Sequence, residues 1–370
     1  MPTNQILAQL KRMDWVLTVA MLLLMAGGVA FIYSASYRGP GQPMLNYYKM
    51  QLVWFGIGLA LYIAATVVDY RIICHWSAVW YIAAVGALLV VLVAGAKVSG
   101  ARRWLGWHGF GIQPTEVAKL AVLITVAYYL FQRTPELRRR WSTVWGTLGI
   151  LAVPQLLVFA QPDLGSAAIL TLLTFGLMFV AGVRVKHLLI LGLLGVLAAP
   201  VLWMSMRDYQ KSRLTVFLDP DRDPLGAGWN LNQSLIAVGS GGLTGKGYLQ
   251  GTQNLLGYLP RTVAPNDFLF SVIAEEKGFT GSVCVLGLFA VILFSGLRIA
   301  AHARDRLGML LATGVVVLLF FHVFINIGMT IGLLPVKGLP LPLLSYGGSF
   351  VLATMTALGL LQNVWIHRRV

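Results

Sequence analysis

Runs of roughly 20 apolar residues recur from one end of this chain to the other, and no other feature narrows its fold more. The runs are unbroken and rich in Leu and Ala rather than alternating, which suits helices and not the strands of a membrane barrel. Charged residues make up only 11% of the 370. A soluble domain carries about 25%, so there are too few here to cover a water-facing surface. The reading is an all-α, polytopic membrane protein forming one domain over 1–370. Ten helices account for the runs, near 15–35, 50–68, 77–96, 115–132, 143–160, 164–183, 187–206, 267–298, 307–332 and 347–366.

The formal net charge of +15 has a plain explanation in topology, because cytoplasmic connections collect Lys and Arg. Nucleic acid is therefore not read as a partner. Alternate connections carry Lys11 and Arg12, Arg71, Arg133 with Arg138, Arg139 and Arg140, Arg184 and Lys186, Arg298 with Arg304 and Arg306, and Arg368 and Arg369. This alternation predicts both termini in the cytoplasm, with the first helix retained rather than cleaved as a signal peptide. The outer connections are basic too, through Arg102, Arg103, Arg207, Lys211, Arg213, Lys246, Arg261 and Lys337. Either long outer segments translocate whatever their charge, or these cations serve an outward-facing site for a phosphate or pyrophosphate. One outer loop, about 206–266, far exceeds the rest. Its Gly, Asp and Pro clusters enclose an amphipathic stretch from Asn230 to Val238.

Ionisable residues inside apolar helices are costly and mark candidate sites. Glu116 and Lys119 share one helical face at i,i+3, just after Pro114 at a first-turn position. Asp163, in Gln161-Pro162-Asp163-Leu164-Gly165, sits at a sharp turn where it can cap the next helix. Asp267 opens the eighth helix, with Glu275, Glu276 and Lys277 deeper in it. Capping or a structural ion pair explains each singly. Their common placement at the outer helix ends, beside basic loops, points to a shared pocket.

Gly241-Gly242-Leu243-Thr244-Gly245-Lys246-Gly247 looks like a nucleotide-binding loop, but Ser240 and Gly247 occupy positions that loop reserves for Gly and Ser or Thr. ATP binding is rejected, although the glycines would let backbone N–H groups approach a phosphate. The six histidines lack metal-ligand spacing, and Cys74 and Cys284 fall in or near apolar runs with no disulfide indicated.

Five segments together are similar to the SEDS (shape, elongation, division, sporulation) family. They are Gln113 to Lys119, Ala160 to Gly165, Asp219-Pro220 through Gly228, Gln233-Ser234 leading to Gly239-Ser240-Gly241-Gly242-Leu243, and Gly338 to Ser349. They span nearly the whole chain in family order. Gly245-Lys246-Gly247 and Gly251-Thr252-Gln253 look more like the rod-shape branch than the division branch. The resemblance implies a ten-helix glycosyltransferase of the cytoplasmic (inner) membrane. Such an enzyme polymerises lipid II into glycan strands at the outer face, with undecaprenyl pyrophosphate as leaving group and a class B penicillin-binding protein as transpeptidase partner. It also implies an essential aspartate at the base of the long loop, which here is Asp267. The approach to it departs from the family. Leu259-Pro260-Arg261-Thr262-Val263-Ala264-Pro265-Asn266 is longer by two residues and lacks the usual acid and His-Thr pair.

On that reading Asp267 is the catalytic base. Arg102, Arg103, Glu116, Lys119, Gln161, Asp163, Arg207, Lys211, Arg213 and Lys246 are candidate substrate-binding residues. Glu116, Asp163 and Asp267 offer oxygen ligands for a divalent cation, Mg2+ or Mn2+. Membrane lipids surround the whole. The alternatives are a lipid II transporter and a non-catalytic scaffold for the transpeptidase.

Overall fold

The structure, a computed structural model, describes residues 11–37, 39, 44–98, 101–107, 110–206, 208–219, 223, 226, 228–260 and 262–369. Helices form where the apolar runs lie. They are α1 (Trp15–Ser36), α2 (Tyr47–Val67), α3 (Ser77–Ala94), α4 (Pro114–Phe131), α5 (Trp141–Ala160), α6 (Leu164–Val180) and α7 (Val185–Ser205). Two shorter helices, α8 (Asp208–Leu218) and α9 (Trp229–Ser240), occupy the long 206–266 segment, and α10 (Leu269–Ala301), α11 (Arg306–Thr330) and α12 (Gly348–Ile366) complete the bundle. Among the described residues nine helices are long and apolar enough to cross a bilayer, while α6 has 17 residues. At 1.5 Å per residue α6 rises about 26 Å, at the lower end of the spanning range.

Capping fixes several helix ends. The Asp14 carboxylate accepts from Leu17 N and pairs with Arg298, and Gln362 bonds the Asp14 backbone in both directions at 2.8 Å, which ties the start of α1 to α12. Asp305 caps α11 through Gly308 N and meets Arg71 at 2.9 Å. Carboxylates at N-caps satisfy orphan amides and the helix dipole together. In the bundle α11 packs against α4, α6, α10 and α12, α12 lies along α2, and α10 lies along α1. By contrast α7 packs chiefly against α6 and leaves almost its whole surface exposed.

Two segments expected to be outer loops differ from a polar loop. Between α3 and α4 the chain forms a small antiparallel sheet of β1 (Ala96–Val98), β2 (Ala101–Trp107) and β3 (Phe110–Ile112), in the order β1-β2-β3. In the 206–266 segment, α9 is the expected amphipathic stretch. It buries Leu231, Ser234 and Ala237 against α10 and α11, with Ser234 Oγ donating to Thr330 O at 2.7 Å.

The third departure concerns the glycine-rich segment. Within α10 the backbone breaks at Gly278 (φ 64°, ψ −159°), a conformation open to glycine. A break inside a membrane helix exposes peptide groups that must be paired by protein. Here Gly242 O and Leu243 O accept from Phe279 N and Thr280 N, while Lys246 N and Gly247 N donate to Glu275 O and Glu276 O. The Lys246 and Gly247 N–H groups are thus bound to α10 instead of facing a phosphate, which corrects the anion-loop reading.

Candidate functional site

At one end of the bundle four segments converge on a narrow cleft. It is lined by Arg103 from β2, the α5–α6 turn with Pro162, Asp163 and Gly165, Gln210 and Arg213 from α8, and Lys337. Each wall has a local cause. Successive residues of a strand face opposite sides, so Arg103 turns inward, with Nε 2.9 Å from Gln161 O and Nη2 2.5 Å from Pro162 O. Arg102 turns away, to the Val93 carbonyl at 2.7 Å. On α8, Gln210, Arg213 and Leu214 are spaced i, i+3, i+4 and share one face.

Asp163 caps α6. Its carboxylate accepts from Ser166 N at 3.1 Å and Ser166 Oγ at 2.9 Å, and from Gln113 Nε2 at 3.3 Å. Beneath it Lys119 bonds both oxygens of Glu116, at 2.8 and 2.7 Å, and approaches His322 Nε2 at 3.0 Å. This cluster is sealed, with Lys119 only 1% exposed. Gln161 is also enclosed, its amide placed between Thr115 and the Leu88 carbonyl.

Asp267 lies at the same end. Asn326, one helical turn beyond His322 on α11, donates to Asp267 O at 3.0 Å and to Leu339 O. Gly338 (φ 59°) passes directly over the carboxylate, since a Cβ there would sit 3.2 Å from Asp267 Oδ2. The neighbouring Lys337 lines the cleft, and its carbonyl would be 3.2 Å from a Cβ on Gly165. The Lys337–Gly338 backbone therefore joins the Asp267 side of the cleft to the Asp163 side. Among the described residues none donates a hydrogen bond to the Asp267 carboxylate. Burial pushes its pKa up to about 6, and the charge of Arg213 opposes that rise. Burial also holds the Lys337 ammonium below its usual value.

The sequence-derived set is thus divided. Arg103, Asp163 and Arg213 line the cleft, and Asp267 adjoins it. Glu116, Lys119 and Gln161 lie buried behind it. Arg102 faces the end of α3, and Lys211 is on α8 but off the cleft-lining face. Arg207 lies outside the described residues. Lys246 belongs to another cluster, 2.7 Å from Glu275 Oε1 and 2.7 Å from Thr252 Oγ1. Among the described residues no three His, Cys, Asp or Glu side chains group as a metal site. The oxygens of Glu116 and Asp163 are already engaged by Lys119, Ser166 and Gln113, so Glu116, Asp163 and Asp267 do not form one ligand set. Sequence reasoning passed over His322 and Asn326. The signal was available, because a polar or ionisable residue inside an apolar run is a site candidate.

The profile of the FtsW, RodA and SpoVE cell cycle protein family matches residues 14–370. The chain belongs to this family. It is the SEDS family that the motifs indicated, and relatives of several branches align over almost the full length. The peptidoglycan glycosyltransferase MrdB of Escherichia coli strain K12 is 37% identical, with 96% of this chain and 94% of that protein covered. The stage V sporulation protein E of Bacillus subtilis strain 168 is 37% identical, covering 96% and 98%. Among solved structures, a peptidoglycan synthase complex described as coordinating polymerization and crosslinking matches with a TM-score of 0.80 at 31% identity, over 96% of this chain and 98% of that one. The rod shape determining protein RodA of Thermus thermophilus matches with a TM-score of 0.72 at 30% identity, covering 97% and 98%. This SEDS protein is therefore a multi-pass, all-α membrane protein with RodA among its structural relatives.

Proposed function

We propose that this chain is a peptidoglycan glycosyltransferase of the rod-shape branch, which polymerises lipid II at the outer face of the cytoplasmic membrane. The observation that carries the reading is the placement of Asp267. A half-buried carboxylate with no donor among the described residues stands beside a cleft walled by Arg103, Arg213 and Lys337, at the end opposite the basic connections. Orientation follows from those connections, with both termini cytoplasmic and the cleft outside.

Glycan growth joins a sugar hydroxyl to an anomeric carbon whose leaving group is a lipid pyrophosphate. Asp267 takes the hydroxyl proton, and a carboxylate poised near 6 is ionised at neutral pH yet basic enough to assist attack. An α-linked donor giving a β bond inverts in one in-line displacement, so no covalent enzyme intermediate is needed. Arg103, Arg213 and Lys337 meet the negative charge that accumulates on the departing pyrophosphate. A divalent cation, Mg2+ or Mn2+, would be held on the protein by Asp267 alone, and it would supply further neutralisation of the leaving group. Glu116, Lys119, His322 and Asn326 act as positioning residues that hold the cleft in register. A class B penicillin-binding protein is the proposed transpeptidase partner, in keeping with the synthase complex that this fold resembles.

The test uses the purified full chain with fluorescent lipid II in detergent, alone and with the transpeptidase. Glycan polymer that disappears with Asp267→Ala, while the variant remains folded, supports the proposal. Polymer of unchanged length and yield from Asp267→Ala would overturn it.

A further inference from the structure

The opposite end of the molecule holds a second basic site that glycosyl transfer does not use. Where α5 begins and α6 leads into α7, Arg139, Arg140, Arg184 and Lys186 surround a cavity of about 680 Å3, with Glu136 the single carboxylate on its wall among the described residues. Trp141 and His187 line it as well, and their rings stack at 4.1 Å and 28°. Trp145 stacks on Trp141 in turn, at 5.9 Å. His187 is only 5% exposed, yet its Nδ1 has no hydrogen-bond partner.

Topology explains why cations gather at this end, but it calls only for solvated charge. It does not call for a cavity, an aromatic wall or a buried ring nitrogen left unmatched, which native proteins seldom tolerate. Those features describe a receptor for an anion. Arg guanidinium groups bind phosphate oxygens in pairs, and Trp rings settle at the depth of lipid headgroups. Beyond the cavity α5 turns Trp145, Val153 and Leu156 outward, and α7 leaves Leu189, Leu193 and Val196 mostly exposed. Charge below and apolar surface above match the two parts of a phospholipid.

We propose that this cavity binds the phosphate headgroup of an anionic phospholipid of the cytoplasmic leaflet, with acyl chains lying along α5 and α7. Basic pockets between helices on this side suit doubly charged headgroups such as that of cardiolipin. The leaflet assignment rests on the orientation proposed above, whereas binding in detergent is read independently of orientation and of catalysis.

The experiment is native mass spectrometry of the purified full chain titrated with cardiolipin, with phosphatidylethanolamine as the zwitterionic comparison. Cardiolipin is expected to bind in preference, and Arg140→Ala with Arg184→Ala is expected to weaken it at least about tenfold. Arg12→Ala with Arg304→Ala removes equal charge from the same face outside the cavity and is expected to change binding less than about twofold. If the first pair fails to fold, the exposed single change Lys186→Gln, expected to cost roughly threefold, replaces it. Equal losses from both pairs, equal binding of the two lipids, or complete displacement by millimolar inorganic phosphate would each overturn the assignment.

Discussion

Glu116 and Asp267 are both acids at the cleft end of the bundle, yet the fold treats them oppositely. Glu116 is closed in by Lys119, which bonds both of its oxygens and contacts His322. The Asp267 carboxylate receives no hydrogen bond from any described residue and stands half-buried beside an open cleft. A sealed pair contributes rigidity, because removing one member strands the other in a dry interior. An unengaged carboxylate costs stability and gains reactivity. The difference teaches where to look for chemistry in an apolar bundle, namely at the charge the protein declines to satisfy.

Several substitutions test that contrast. Asp267→Asn should have the largest effect, lowering lipid II turnover by roughly 10²–10⁴, the usual contribution of a positioned general base, as read by polymer gels. Lys119→Met should instead destabilise by about 3–5 kcal/mol through the uncompensated Glu116, seen as a lowered Tm; an unchanged Tm would refute the sealed-pair description. Arg103→Ala removes a cation and the bonds to Gln161 O and Pro162 O, and should cut turnover about tenfold while largely sparing stability, the loss of one charge-assisted contact.

The smallest effect concerns pH. The folded pKa of Asp267, about 6, is above its ordinary 3.8, so the folded state binds the proton more tightly than the unfolded state. The stability this gives is present below the unfolded value and is lost as pH rises through 6. Asp267→Asn should therefore raise stability at pH 8 by on the order of 1 kcal/mol after solvent screening, and the gain should fade as pH falls towards 4. Wild-type turnover should run the other way, declining as pH drops through 6.

The membrane helices were legible because a bilayer allows few alternatives. Apolar runs placed α1 to α7 and α10 to α12 within a few residues of their observed limits. Short-range signals also worked, as with the Asp163 cap and the Glu116–Lys119 pair. What escaped depended on distant partners. Nothing near Gly241 indicates that Gly242, Leu243, Lys246 and Gly247 will complete the backbone of α10 across its break. Arg102 and Arg103 looked equivalent until β2 turned them to opposite sides. Lys246 read as an outward cation because its partner, Glu275, lies 29 residues away in sequence. His322 read as isolated because Lys119 lies 203 residues away.

The shortness of α6 bears on how a greasy substrate could be handled. A 17-residue helix reaches several ångströms less than the roughly 30 Å of bilayer oil, and thinning of the lipids beside it would make up the difference. Asp163 marks its cleft-side tip, so a thinned leaflet would dip towards the cleft. On the proposed function, a pyrophosphate tethered to a polyprenol would then meet the protein's cations at the floor of a dimple, while its hydrocarbon tail never has to leave the membrane.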